Sequence, residues 1–134
     1  MDKEVVWFIR LSMAYFVAGS LMGVLFVFRP YMAGTDYVAM HVHLNLLGWM
    51  SMMIFGVGYH VLPRFSGRPL YSRRLSVVQF WSANAGLVGM AAGWGLRAHG
   101  YAAGGTLLAV FGAVMFVSIT LFVYNMARTV RGPG

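Results

Sequence analysis

Apolar residues run almost unbroken through four stretches of the chain, and most charged residues gather at the links and ends. A membrane-crossing helix needs about 20 mostly apolar residues. Val5–Phe28 supplies one, interrupted only by Arg10 near its start. Tyr37–Leu62 supplies a second, polar only at its histidines, Asn45, Ser51 and tyrosine. Leu75–Leu96 is a third and Tyr101–Ala127 a fourth. The pattern predicts an all-α integral membrane protein, with one four-helix membrane domain over residues 1–134. Arg29-Pro30 is expected to end the first helix and Pro63 the second, because proline disfavours helix in the residue before it. Ser72 or Ser76 is the expected cap of the third.

Composition narrows the class. The chain is 60% hydrophobic and 10% charged, against about 45–50% and about 25% in soluble domains. A soluble fold of this length has no interior for so much apolar surface, which excludes a disordered chain and a water-soluble enzyme. There is no cysteine, so disulfides, iron–sulfur clusters and thiolate metal sites are excluded. The net charge of +7 would suggest nucleic acid in a soluble protein; beside membrane spans it records topology. Arg64, Arg68, Arg73 and Arg74 lie in the second link, Arg128 and Arg131 in the tail, and Lys3 and Arg10 at the start. The other links hold one arginine each, Arg29 and Arg97. Both termini and the Arg64–Arg74 link are therefore expected in the cytoplasm of a bacterial or archaeal cell, the chain lying in the inner membrane as a multi-pass protein. The start carries Asp2 and Glu4 and lacks the basic region of a cleaved signal, so the first helix is expected to be retained.

Small residues four apart let helices approach closely in lipid. Gly19 and Gly23, Gly89 and Gly93, and Gly105 with Ala109 and Ala113 are such sets, expected to serve packing within the chain.

The histidines carry the chemical signal, because ionisable groups at membrane depth are costly and usually functional. At 1.5 Å per residue, His41 is about 6 Å and His43 about 9 Å into the second helix, and His60 about 25 Å beyond His43. The two ends cannot share one metal. His41 and His43 point about 160° apart around a helix, so one ion cannot take both. The His41 stripe runs through Asn45, Gly48, Met52, Phe55 and Tyr59 and reads as a helix contact. The His43 stripe runs through Leu46, Leu47, Met50, Ile54 and Val57 and faces lipid or the apolar ring of a haem. The alternative to iron ligation is a hydrogen bond across helices to Asn84 or Tyr15.

His43-Leu44-Asn45-Leu46-Leu47, with Trp49 after it and Tyr59-His60-Val61-Leu62-Pro63 at the end, resembles the second helix of haem–copper oxidase subunit I. The similarity is greatest to bacterial nitric oxide reductases and C-type oxygen reductases. The third-helix start, Leu75 through Phe80-Trp81, is also similar, and the resemblance covers roughly Met40 to Gly95. In that family the histidine of the His-x-Asn motif is an axial ligand of low-spin haem b on the outer side of the membrane, which implies this role for His43. The spacing from His43 to Tyr59 is one residue shorter than the reductase pattern, and a register anchored on the closing motif implies His41 instead. The family subunit has about a dozen helices. Its active-site haem and copper ligands have no counterparts here, so the resemblance does not carry oxidase or reductase activity.

Further candidates follow from depth and side. His99 lies just past the third helix on the outer side, and Met90 lies about 9 Å inside that end, the depth of His43; each is a candidate second axial ligand. Arg97 and Arg29 are candidates for pairing with haem propionates. His60 is expected at headgroup level without a cofactor. Trp94, Tyr31, Tyr37 and Tyr101 are expected in an aromatic belt. The first functional reading is a non-covalent haem b protein that transfers electrons, with a respiratory partner such as quinol or a cytochrome and a second protomer completing the haem slot. A five-coordinate haem that binds nitric oxide or oxygen, and a cofactor-free accessory or assembly subunit of a respiratory complex, are the alternatives.

Overall fold

The computed structural model describes residues 2–131. Among them are four helices long and apolar enough to cross a membrane. They are α1 (Lys3–Phe28), α2 (Tyr37–Phe65), α3 (Arg73–Ala98) and α4 (Ala103–Arg131). A short 3₁₀ turn, Pro30–Gly34, joins α1 to α2. Each helix is a little longer than, or shifted from, the expected span.

The helix ends show which local signals won. α1 stops at Phe28, directly before Arg29-Pro30, as expected. Pro63 does not stop α2, which continues to Phe65. A proline removes one N–H from the ladder and crowds the carbonyl four residues back, but here it falls in the last turn, where the chain satisfies the last carbonyls by other means. Ser66 N–H donates to Leu62 O (3.0 Å), Gly67 N–H to Arg64 O (3.2 Å) and Arg68 N–H to Pro63 O (3.0 Å). Gly67 has φ +65°, a left-handed position that suits glycine, so the true terminator is a glycine C-cap. Ser72 caps α3, its hydroxyl accepting from Leu75 N–H at 3.3 Å. Ser76 is not a cap: it is buried and donates to Arg73 O.

Two close helix pairs build the bundle. α3 meets α4 through Gly86, Gly89, Gly93 and Gly104. A Cβ on Gly93 would lie 2.9 Å from Leu108, and one on Gly104 2.5 Å from Gly93 O. The Gly105–Ala109–Ala113 stripe does not take part: a Cβ on Gly105 meets nothing within 4 Å, and both alanines are exposed. Gly104, one residue round the helix, makes the contact instead. α1 packs along α2 through Gly19, Gly48 and Gly56.

An aromatic core ties the pairs together in the half of the bundle nearer the Arg64–Arg74 link. Phe8 meets Phe80 edge-on at 5.0 Å and Phe55 at 6.0 Å, and Phe55 meets Phe122 at 4.6 Å. Near the Arg64–Arg74 link the core turns polar. Glu4, only 8% exposed, accepts from Arg73 Nε at 3.0 Å. Asn125 accepts from Ser72 N–H and donates to Ser72 O. The outward faces of α1 and α4 carry Phe16, Val17, Leu21, Val24, Val110, Phe116, Val117 and Val123 in exposed positions, as helices facing lipid do.

Candidate functional site

α2 is not a uniform α-helix. Over Leu44–Ser51 it widens to a π-helix, a geometry that is rare and frequent at functional sites. In this segment buried positions recur every fourth residue, at Leu44, Gly48 and Met52, before Phe55 and Tyr59 resume the ordinary spacing. Ser51 Oγ donates to Leu46 O, and the Asn45 side-chain amide donates to His41 O at 2.9 Å. His41, His43 and Asn45 thus sit where the helix changes its pitch.

His41 faces α1. Its Nδ1 is 2.8 Å from Gly19 O. Its ring lies edge-on to Phe26 at 5.5 Å, and a Cβ on Gly23 would come within 3.2 Å of it. A Cβ on Gly19 would lie 2.5 Å from the Asn45 amide nitrogen. The Gly19–Gly23 pair is therefore the groove on α1 that receives the His41 and Asn45 side chains. Asn84 and Tyr15 are not partners of His41: Tyr15 hydroxyl donates to Asn84 Oδ1 at 2.8 Å.

His43 faces the other way. Its Nδ1 is 2.8 Å from Ala39 O, one turn back on the same helix. Its ring lies 4.3 Å from that of Trp94 at a tilt of 41°. A carbonyl only accepts, so His43 donates through Nδ1, and in the neutral ring Nε2 then carries the lone pair. Of the rest of its stripe, Leu46, Met50, Ile54 and Val57 are exposed, whereas Leu47 packs against the core. The His41 stripe lies in the helix seam, and the His43 stripe is mostly open but for Leu47.

The remaining candidates do not converge on His43. His99 is exposed, with Nδ1 2.9 Å from Gly95 O and 3.4 Å from Tyr37 hydroxyl. It stands level with Tyr37, about 9 Å along α2 from His43 at 1.5 Å per residue. Met90 packs against the core, one turn from Trp94 and about 6 Å deeper. Arg97 is paired with Asp36 at 3.2 Å, whereas Arg29 is exposed without an acidic partner among the described residues. His60 accepts from Arg64 Nη1 at 2.8 Å through its Nδ1, so its proton arrangement is opposite to that of His43. Trp94 is not a belt residue: it is 7% exposed and buried against His43. Its spacing from helix end alone did not reveal this, since the signal depends on how α3 crosses α2. Among the described residues, no three histidines or carboxylates gather as a metal cluster.

The chain is similar to known proteins over nearly its whole length. A family model described as "Cytochrome C and Quinol oxidase polypeptide I" matches residues 1–132. Cytochrome c oxidase subunit 1 of Rhodobacter capsulatus is 46% identical over 55 residues, which are 40% of this chain and 10% of that protein. The Cbb3-type cytochrome c oxidase subunit CcoN1 of Stutzerimonas stutzeri is 28% identical over 92% of this chain and 32% of its own length. Cytochrome c oxidase polypeptide 1 of Halobacterium salinarum is 31% identical over 88% of this chain and 22% of its own length. The chain spans between a tenth and a third of these curated relatives. With its four membrane-length helices and a family match from end to end, the chain belongs to the cytochrome c and quinol oxidase polypeptide I family, the haem–copper oxidase subunit I proteins.

Proposed function

We propose that this chain is a membrane haem b protein of the respiratory chain that transfers electrons, with His43 as the axial ligand it supplies. One observation carries the reading: His43, half-buried beside Trp94, has Nδ1 fixed on Ala39 O, which in the neutral ring keeps Nε2 as the nitrogen free to ligate. That is the tautomer a ligating histidine needs, and the carbonyl both selects it and orients the ring. Trp94 supports the ring from α3, and Leu46, Met50 and Ile54 extend an apolar strip for a macrocycle to cover. When bound, the haem supplies one-electron redox chemistry, tuned by its axial ligands and the burial around it. His41 is held in the α1 seam by Gly19 and serves to lock α1 to α2. Arg29 has its charge available for a propionate.

His99 and Met90 lie at other levels than His43. A further protein ligand to the iron would then come from outside these four helices, from a second copy, a companion chain or a further segment, in keeping with the short share of each relative that this chain spans. A respiratory donor such as quinol or a cytochrome would reduce it. By the positive-inside rule both termini and the Arg64–Arg74 link are in the cytoplasm, and the His43 end is at the outer leaflet of the inner membrane. Optical spectra of the purified protein, oxidised and reduced, test the proposal. Low-spin haem b bands are expected. High-spin bands would favour a gas-binding haem, and a colourless protein unable to take up added haemin would leave only the accessory-subunit role.

A further inference from the structure

All three acidic side chains, Asp2, Glu4 and Asp36, are taken up by two arginines. Asp2 and Glu4 both pair with Arg73, and Asp36 pairs with Arg97. At the Arg64–Arg74 end this leaves Lys3, Arg64, Arg68, Arg74 and Arg128 with no carboxylate partner among the described residues. Two of these cations flank one feature. A cleft of about 350 Å³, lined by Asp2, Pro63, Arg64, Gly67, Arg68 and Leu70, opens beside the end of α2, with the Asp2 carboxylate drawn toward Arg73 at 3.7 Å and the two arginines outnumbering it. The glycine C-cap shapes it: Gly67 at φ +65° folds the chain back so that Arg68 N–H reaches Pro63 O. This brings Arg64 and Arg68, four residues apart across a reversal of chain direction, onto the same cleft. Its floor is the buried Tyr59. Beside it Phe65, the last residue of α2, is 85% exposed.

We infer that this cleft binds the phosphate of an anionic membrane lipid. Guanidinium groups recognise phosphate oxygens through paired N–H donors. The arginines supply that charge, and Pro63, Leu70 and Tyr59 supply an apolar wall that a free ion would not use. Phe65 is an exposed ring at the end of a membrane-length helix, where acyl chains give way to headgroups. That position selects a lipid-borne phosphate over a soluble one. The cleft volume equals roughly twelve waters at about 30 Å³ each, room for a phosphate with its glycerol. The inference is independent of haem, since the cleft lies at the opposite end of α2 from His43.

The test is native mass spectrometry of the detergent-purified full chain, titrated with phosphatidylglycerol or phosphatidylcholine. The expected result is one retained phosphatidylglycerol per chain and no retained phosphatidylcholine at the same concentration. Arg64→Gln with Arg68→Gln should lower the affinity for phosphatidylglycerol by roughly 25-fold, about fivefold for each arginine lost beside an anionic headgroup. Arg74→Gln with Arg128→Gln removes the same charge at the same end, away from the cleft, and should change it less than threefold. Arg68→Lys keeps the charge but not the fork, and should give an intermediate loss. Equal losses in the two double variants would mean diffuse charge and overturn the site. Displacement of the lipid by millimolar inorganic phosphate or glycerophosphate would overturn the lipid as the source. Circular dichroism of each variant establishes that the helices are intact, so a loss of lipid is read at the cleft.

Discussion

Nδ1 of His43 lies 2.8 Å from the carbonyl oxygen of Ala39, and Nδ1 of His41, two residues earlier, lies 2.8 Å from that of Gly19 on the neighbouring helix. The two histidines thus have the same proton arrangement but different tethers. One bond is within α2 and orients a half-buried ring beside Trp94. The other crosses to α1 and closes a seam. Sequence spacing alone leaves the choice between them open; the proposed function rests on the difference in tether, within α2 for His43 and across to α1 for His41.

Trp94 should act on His43 as a positioning residue. With the ring partner at 4.3 Å removed, Trp94→Ala leaves the ligand nitrogen in place but opens the site to solvent. The expected outcome is haem still bound, with a shifted midpoint potential and faster loss to an apo-haem acceptor. Trp94→Phe should restore most of the retention. A redox titration and a haem-transfer assay read the two effects. Unchanged values in Trp94→Ala would show that this contact does not shape the site.

The Gly19 groove gives a contrast in stability. A methyl on Gly19 would sit 2.5 Å from the Asn45 amide nitrogen, whereas one on Gly112 meets nothing within 4 Å. Gly19→Ala should destabilise by about 1–3 kcal/mol through overpacking. Gly112→Ala should be neutral or stabilising by up to about 1 kcal/mol, since alanine is the better helix former. Unfolding in mixed detergent micelles measures both. Equal effects at the two positions would show that α1 and α2 do not meet along this groove.

Topology is tested at the link. A reporter active only in the cytoplasm, fused at Gly67, should be active, and a periplasm-dependent reporter at the same place silent. The reverse pattern would move the His43 end to the inner leaflet.

The four spans were legible because membrane helices are read from length and apolarity, both local properties. The division of α2 into a contact stripe and an open stripe was legible in large part, because it follows from helical angle; Leu47, within the π segment, falls on the open stripe by spacing but packs against the core. Pro63 misled because its cost falls in the last turn of α2, where Gly67 and the following backbone bonds set the end. Gly105 misled because choosing the small face of α4 needs the rotation of that helix about its axis, and Gly104 is one residue away. Trp94 and the π segment of α2 were not legible at all. The first depends on an interhelical crossing, and the second on where a helix loses register against two neighbours. His99 and Met90 matched criteria of side and depth, but the packing of α3 against α2 puts Trp94, between them in sequence, beside His43.

The central claim is that His43 holds the iron and His41 does not. It is tested most directly by the haem content and spectrum of His43→Ala and His41→Ala, each purified beside the unaltered protein, with imidazole added back to the first. The account predicts that His43→Ala loses the haem, that imidazole restores a haem spectrum, and that His41→Ala keeps most of its haem while losing stability at the α1–α2 seam. Full haem in His43→Ala, with loss confined to His41→Ala, would contradict it and put the iron in the seam beside Gly19.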